Sequence, residues 1–351
     1  MRVVVIGATG NVGTSVVAAL ERDFWVKSVL GLARRLPEAT AAASFEKTTF
    51  VAADVTRDDL VPHLRGADAV VHLAWLIQPS RDKATLARTN VLGSQRVFDA
   101  TVAAGVPSLI VASSIGVYSH GPGARPVDES WPREGVRESW YSRHKVEVER
   151  RLDRLEGEHP DLRVVRLRPA FSLKRGAASE QRRLFLGPFV PTPLLKPGRV
   201  PFVPEVPGLR IQVAHTDDVG EAYRLAVVQD VRGAFNVATE PVLSPRDIAD
   251  VLGSRTLPVP ARAARVLAGA AWLARLHPTS PDWIDLALGV PVLDSTRARA
   301  ELGWQPRWTA PDAVREWFAA VHDAAGLATP PLAPGHELDE LKTGVGGREN
   351  L

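Results

Sequence analysis

Val3-Val4-Val5-Ile6-Gly7-Ala8-Thr9-Gly10-Asn11-Val12-Gly13 decides how the rest of the chain is read. The four β-branched residues suit a strand buried on both faces. The run from Thr14 to Leu20 has the apolar spacing of a helix. Between them, three glycines at G-x-x-G-x-x-G spacing make a strand-turn-helix unit. Glycine lets backbone amides approach a pyrophosphate, and the helix start adds the positive end of its dipole. A tight turn with no ligand would use the same glycines, so the remaining segments must decide.

Those segments repeat the alternation. Strands are expected at Trp25 to Leu32, Phe50 to Ala53, Ala69 to Ala74, Ser108 to Ala112 and Arg163 to Leu167. A helix with Asn90 near its start runs to about Ala104, and another carries Tyr141 to Lys145 and stops near Gly157 to Pro160. Such alternation predicts a parallel sheet with right-handed crossovers and a ligand beyond the carboxyl ends of the strands. Gly7, Asp54, Ala74, Ser114 and Pro169 all fall there. The second strand ends in Ala33-Arg34-Arg35, where a binder of NAD usually has an acid for the ribose hydroxyl and a binder of NADP an arginine. The two arginines favour a 2′-phosphate; alternatively they end an exposed strand.

Composition narrows the class. The chain has 351 residues, 45% hydrophobic and 24% charged, as an ordinary globular protein does. Its 43 basic and 40 acidic residues are mixed along the sequence, so no phosphate-tracking stripe suggests nucleic acid. The absence of cysteine excludes disulfides, thiolate metal sites and a cysteine nucleophile. The apolar start is too short for a signal peptide, and no apolar run approaches the ~18 residues of a membrane span. A soluble cytoplasmic protein without a membrane partner is expected.

Tyr141 and Lys145, four apart on a helix, project from one face, and an ammonium near a phenol favours the phenolate. With GATGNVG near the start, Asp54-Val55, HLAW at 72–75, Asn90 with Val91 and Gly93, ASSIGVY at 112–118, YSRHK at 141–145 and Arg168-Pro169, the order and spacing resemble an extended short-chain dehydrogenase/reductase, the group that includes nucleotide-sugar epimerases and dehydratases. His215-Thr216-Asp217-Asp218-Val219 and Glu301-Leu302-Gly303-Trp304-Gln305-Pro306 extend the likeness to about residue 310.

The resemblance implies an α/β, Rossmann-type doubly wound parallel sheet of about seven strands, with a smaller, mostly helical substrate-binding region. It divides the chain into a NAD(P)-binding domain (1–170 and 211–240), a substrate or cap region (171–210 and 241–327) and a tail (328–351) with little structure of its own. Tyr141 becomes the acid/base, Lys145 its partner and ribose anchor, and Ser114 the hydroxyl that holds the substrate oxygen. The implied cofactor set is Gly7, Thr9, Gly10, Asn11, Val12, Gly13, Arg34, Arg35, Asp54, Val55, Leu73, Ala74, Trp75, Asn90, Ala112, Ser113, Tyr141, Lys145, Pro169, Ala170 and Phe171. Family members often pair through the helices of Asn90 and Tyr141, which opens the way to a homodimer.

Other residues bear on the substrate. Ile115 and Gly116 stand where family dehydratases carry an acidic pair, so dehydration lacks its groups. Phe171 replaces the asparagine common in sugar-nucleotide epimerases. Trp131, Trp140, Phe171, Phe185 and Phe189 are candidates to line an apolar cavity, while Arg175, Arg182 and Arg183 keep an anionic substrate open. His72 reads as a satisfied structural histidine, His215 as structural, and His144 projects from another helix face. No His/Asp/Glu cluster has defensible metal spacing. Seven prolines in 188–207 predict a long ordered loop or lid. The leading expectation is an NADP-dependent oxidoreductase acting on a carbonyl or secondary alcohol of a small molecule. The alternatives are a nucleotide-sugar epimerase with tightly bound NAD and a non-catalytic dinucleotide sensor.

Overall fold

A computed structural model of the chain describes residues 1–190, 192, 195–196, 198–334 and 345. Its centre is a seven-stranded parallel sheet of β1 (Arg2–Ile6), β2 (Ser28–Ala33), β3 (Thr48–Ala52), β4 (Ala69–His72), β5 (Ser108–Ala112), β6 (Arg163–Pro169) and β7 (Gly233–Val237). The spatial order is β7-β6-β5-β4-β1-β2-β3. β1 therefore has β2 on one side and β4 on the other, with Val3 opposite both Val29 and Ala69. The chain winds outward in both directions from this point, which opens a crevice above the ends of β1 and β4.

Helices cover both faces. On one, α1 (Asn11–Glu21) packs closely against a later helix, Thr216–Val228. A Cβ on Gly220 would stand 2.7 Å from the Ser15 carbonyl oxygen, so this contact requires glycine. On the other face, α2 (Gly93–Ala103) and α3 (Trp140–Glu158) bury Val97, Phe98, Val148 and Leu152 against Val4, Val70 and Leu109. Alternate residues of each strand thus feed two separate cores, which is why the strands read as continuous apolar runs. With α4 (Thr216–Val228), the remaining long helices are α5 (Pro245–Leu252), α6 (Ala261–Leu273), α7 (Asp282–Gly289) and α8 (Ala310–His322).

Three details differ from the sequence expectation or go beyond it. The helix of Asn90 begins earlier, at Lys83, and Asn90 lies in a π turn (Arg88–Leu92) before α2. Val213–His215 pairs with Phe171–Leu173 in a small sheet of its own. Phe202–Glu205 forms a strand despite Pro204, because it pairs only with Arg255–Pro258 and is never central. Of the expected proline lid, residues 191, 193, 194 and 197 lie outside the described residues, as do 335–344 and 346–351 of the expected tail. Part of 328–334 is held against the body: Leu332 is fully buried, and Arg183 donates to the carbonyls of Pro331 and Ala333.

Candidate active site

The glycine turn after β1 is built by packing as much as by conformation. Gly7 has φ +91°, and a Cβ there would meet the Ala74 backbone nitrogen at 2.7 Å. Gly13 sits against Gly7, where a Cβ would stand 2.1 Å from the Gly7 carbonyl oxygen. The turn, the end of β2 and the segment after β4 enclose a cleft lined by Gly7, Thr9, Gly10, Ala33, Arg34, Arg35, Val55, Leu73, Ala74 and Trp75. Gly10 starts α1 in an extended conformation with no side-chain cap, so first-turn amides of α1 are uncapped at that end. Backbone that any side chain would obstruct, beside a helix start, fits a dinucleotide pyrophosphate. Thr89, Glu180 and Pro331 also line it, and no motif in the sequence points to them.

Several expected cofactor residues do other work. Asn90 is fully buried, accepts from the Leu76 amide at 2.7 Å and donates to the Leu76 carbonyl at 2.8 Å. It holds the cleft wall, and its own amide is already satisfied. Asp54 folds onto Thr56, whose amide and hydroxyl donate to it at 2.9 and 2.7 Å. Burial pushes its carboxyl up, but the Thr56 hydrogen bonds and the charges of Arg34 and Arg57 hold it below the usual range. Asn11 donates to the Ser172 carbonyl, and Val12, in the first turn of α1, packs against the core. The Ala170 amide pairs with Val237 and that of Phe171 with Gln212, which ties the end of β6 to β7 and to the segment before Val213.

The expected catalytic three are together. Ser139 caps α3 by accepting from the Ser142 amide, which fixes the helix start two residues before Tyr141. The Ser114 hydroxyl and the Tyr141 ring both stand against Gly116, and Ser114 Oγ accepts from the Gly116 amide at 3.1 Å. A Cβ on Gly116 would stand 3.1 Å from the Tyr141 ring, so the ring occupies the space an acidic side chain would need. Ser113, the structural member of the pair, donates to Glu149.

The expected lowering of the Tyr141 pKa is not what the geometry gives. Lys145 Nζ donates to the Ala112 carbonyl at 2.7 Å and lies 3.6 Å over the Trp75 ring, but 5.8 Å from the Tyr141 ring. Burial pushes Lys145 down to about 7, with Glu149 acting the other way. Burial pushes Tyr141 up to about 12, offset only by the Ser114 hydroxyl.

Aromatic rings wall the tyrosine. Trp283 of α7 lies 5.2 Å from it, Trp75 at 5.8 Å and Trp140 at 6.1 Å, centroid to centroid. Phe185 meets Trp283 at 5.1 Å and Phe171 at 5.3 Å. Of the expected apolar lining, Trp131 instead packs with Val117, Tyr118 and Leu293, and Phe189 is exposed. Trp283 was invisible locally, since nothing in its neighbourhood marks it as facing residue 141.

Three histidines make structural contacts. His215 stacks on Trp308 at 4.1 Å and pairs with Glu316 at 3.0 Å. His72 meets Ser94 at 2.9 Å, but its Nδ1 has no partner, and burial pushes the ring down to about 3. His144 packs edge-on against Trp140. Arg175 pairs with Asp323.

An open doubly wound sheet with a glycine cleft at its switch point, and a Ser-Tyr-Lys set beside it, defines a dinucleotide-dependent α/β enzyme class. Residues 3–181 match the model of the NAD dependent epimerase/dehydratase family, and the chain belongs to that family. The uncharacterized protein Rv0501 of Mycobacterium tuberculosis is 24% identical over 332 residues, covering 90% of this chain and 83% of that protein. Among solved structures, MoeE5 in complex with UDP-glucuronic acid and NAD is 22% identical with a TM-score of 0.65, covering 92% of this chain and all of the other. The UDP-glucuronic acid 4-epimerase of Bacillus cereus in complex with NAD is 17% identical with a TM-score of 0.67, covering 92% and 99%. These structures share the fold.

Proposed function

We propose that the chain exchanges hydride at a secondary carbinol carbon through a nicotinamide dinucleotide, as a nucleotide-sugar epimerase. Ser114 and Tyr141 brought together around Gly116, with Lys145 5.8 Å from the Tyr141 ring and a glycine cleft alongside, carry this reading. Family membership and the epimerases that share its fold support the sugar-nucleotide form over simple reduction. When bound, the dinucleotide supplies the hydride acceptor and donor. Gly7, Thr9 and Gly10 would hold its pyrophosphate, with Ala74 and Trp75 alongside. Tyr141 Oη moves the proton to and from the substrate oxygen, and Ser114 Oγ positions that oxygen. Trp283, Phe185 and Phe171 offer apolar faces to the C–H surface of a ring and exclude water from the phenol. In the same reading, residues 171–210 and 241–327 supply the substrate side, and two copies pair through the helices of Asn90 and Tyr141.

A second reading, an NADP-dependent oxidoreductase for a small apolar carbonyl, rests on Arg34 and Arg35 beside Ala33 in the cleft and on the aromatic wall itself. One experiment separates them. Purified protein is denatured and its nucleotide identified, and the native protein is offered UDP-glucose, UDP-glucuronic acid, and a panel of ketones with NADPH and NADH. Co-purified NAD with sugar-nucleotide interconversion and no net change in nicotinamide absorbance is expected. Stoichiometric NADPH consumption with ketones, and none of the former, would establish the second reading. Biological activity that survives Tyr141→Phe would instead assign the fold to dinucleotide sensing.

A further inference from the structure

Helix α6 faces the wrong way for an ordinary surface helix. None of its residues is buried, and Val266, Leu267 and Leu273 are 68%, 66% and 73% exposed. At 3.6 residues per turn, Val266, Ala270 and Leu273 share one side and Leu267 flanks it. The opposite side is the one that meets the body: the Trp272 carbonyl accepts from Arg81, whose guanidinium lies 4.3 Å over the Trp272 ring, and Trp272 Nε1 donates to Ser80. Leu276, just beyond the helix, is also exposed.

Charge is one-sided too. Residues 261–276 contain Arg262, Arg265 and Arg275 and no acid. Arg265 pairs with Asp285 of α7 at 2.8 Å, while Arg262 is exposed beside the apolar stripe and Arg275 is exposed just past the helix end, near Arg81. We propose that α6 lies on an anionic membrane surface, with Val266, Leu267 and Leu273 in the acyl boundary and Arg262 and Arg275 at the headgroups. No described helix is long and apolar enough to cross a membrane, so this is surface attachment.

Size separates this occupant from a second copy of the chain. A helix of 13 residues is about 20 Å long and offers a stripe about 10 Å wide, roughly 200 Å² per partner, against the roughly 1,000 Å² in total that a stable protein interface needs. A bilayer demands no matching shape, and anionic lipid attracts flanking arginines. α6 packs against α7, which carries Trp283, so the attached face borders the substrate side of the molecule.

The test is co-sedimentation of the full chain with vesicles of phosphatidylcholine alone or mixed with phosphatidylglycerol. Binding is expected only to the mixed vesicles, falling with added salt. Leu267→Glu with Leu273→Glu, and separately Arg262→Glu with Arg275→Glu, should each weaken it about tenfold or more. Because all four side chains are exposed, both variants should keep the parent melting temperature and cofactor binding. Parent protein that stays in the supernatant with mixed vesicles overturns the proposal, as does binding that both variants retain. A parent dimer that Leu267→Glu converts to monomer, with no vesicle binding, would assign the face to a second copy.

Discussion

In the proposed reaction Tyr141 gives and takes a proton, yet its surroundings hold it as a phenol. Burial pushes it up to about 12, and the neighbouring ammonium is engaged by Ala112 and Trp75. Removing the hydroxyl while keeping the ring against Trp283 isolates the proton-transfer role. Tyr141→Phe should lower turnover by about 10²–10⁴-fold with cofactor affinity little changed, read by steady-state kinetics beside cofactor titration. Lys145 makes a complementary case, because its burial costs stability. Its folded pKa of about 7 lies below the unfolded value of about 10.4, so the unfolded chain binds the extra proton between those limits. Stability therefore rises with pH across that window and is depressed at neutrality. Lys145→Met should abolish turnover while raising the melting temperature at pH 7 by about 2–4 °C, a gain that fades towards pH 10. A lower melting temperature at pH 7 would show that the Ala112 bond and the Trp75 contact outweigh desolvation.

At the scale of elements, strands and their glycine punctuation were legible because a parallel sheet buried on both faces leaves unbroken apolar runs. Local patterns could not show which partner an internal polar residue chooses. Asn90 shows this: its position matched the resemblance, but its amide spans both polar groups of Leu76 from within a π turn. Trp283 reaches Tyr141 across 142 residues, a distance that periodicity does not encode. Glu149 was recoverable, since Tyr141, Lys145 and Glu149 recur every four residues along one face of α3. The clamp at Asn90 predicts an indirect effect. Asn90→Ala would leave the buried Leu76 amide and carbonyl unpaired, costing about 1–3 kcal/mol for each group. The Leu73–Leu76 wall should then shift, so cofactor affinity falls together with stability. Calorimetric titration alongside urea unfolding checks this. Unchanged affinity in a destabilised variant would confine Asn90 to a purely structural part.

For the molecule as a whole, one buried network joins α3 to the sheet. Glu149 of α3 takes Arg168 at 2.7 and 2.8 Å, Arg133 at 2.8 Å and the Ser113 hydroxyl, with Arg166 at 3.6 Å. Arg168 also donates to the Tyr118 hydroxyl, which donates to Asn236 on β7. Burial alone would push the Glu149 carboxyl up; Arg168, then Arg166 and Ser113, outweigh it and hold the group at about 2. A depressed folded pKa gives stability that is complete above the unfolded value of about 4.3 and lost as pH falls towards 2. Glu149→Gln removes the charge but leaves Arg166 and Arg168 buried, so it should cost about 3–5 kcal/mol at pH 7. The parent should lose stability steeply between about pH 4.5 and 2, and the variant should lose less over the same range, because its residue 149 no longer titrates. Urea midpoints measured from pH 7 down to pH 2.5 decide the matter: parallel slopes in the two proteins would place the acid-labile linkage at other carboxylates.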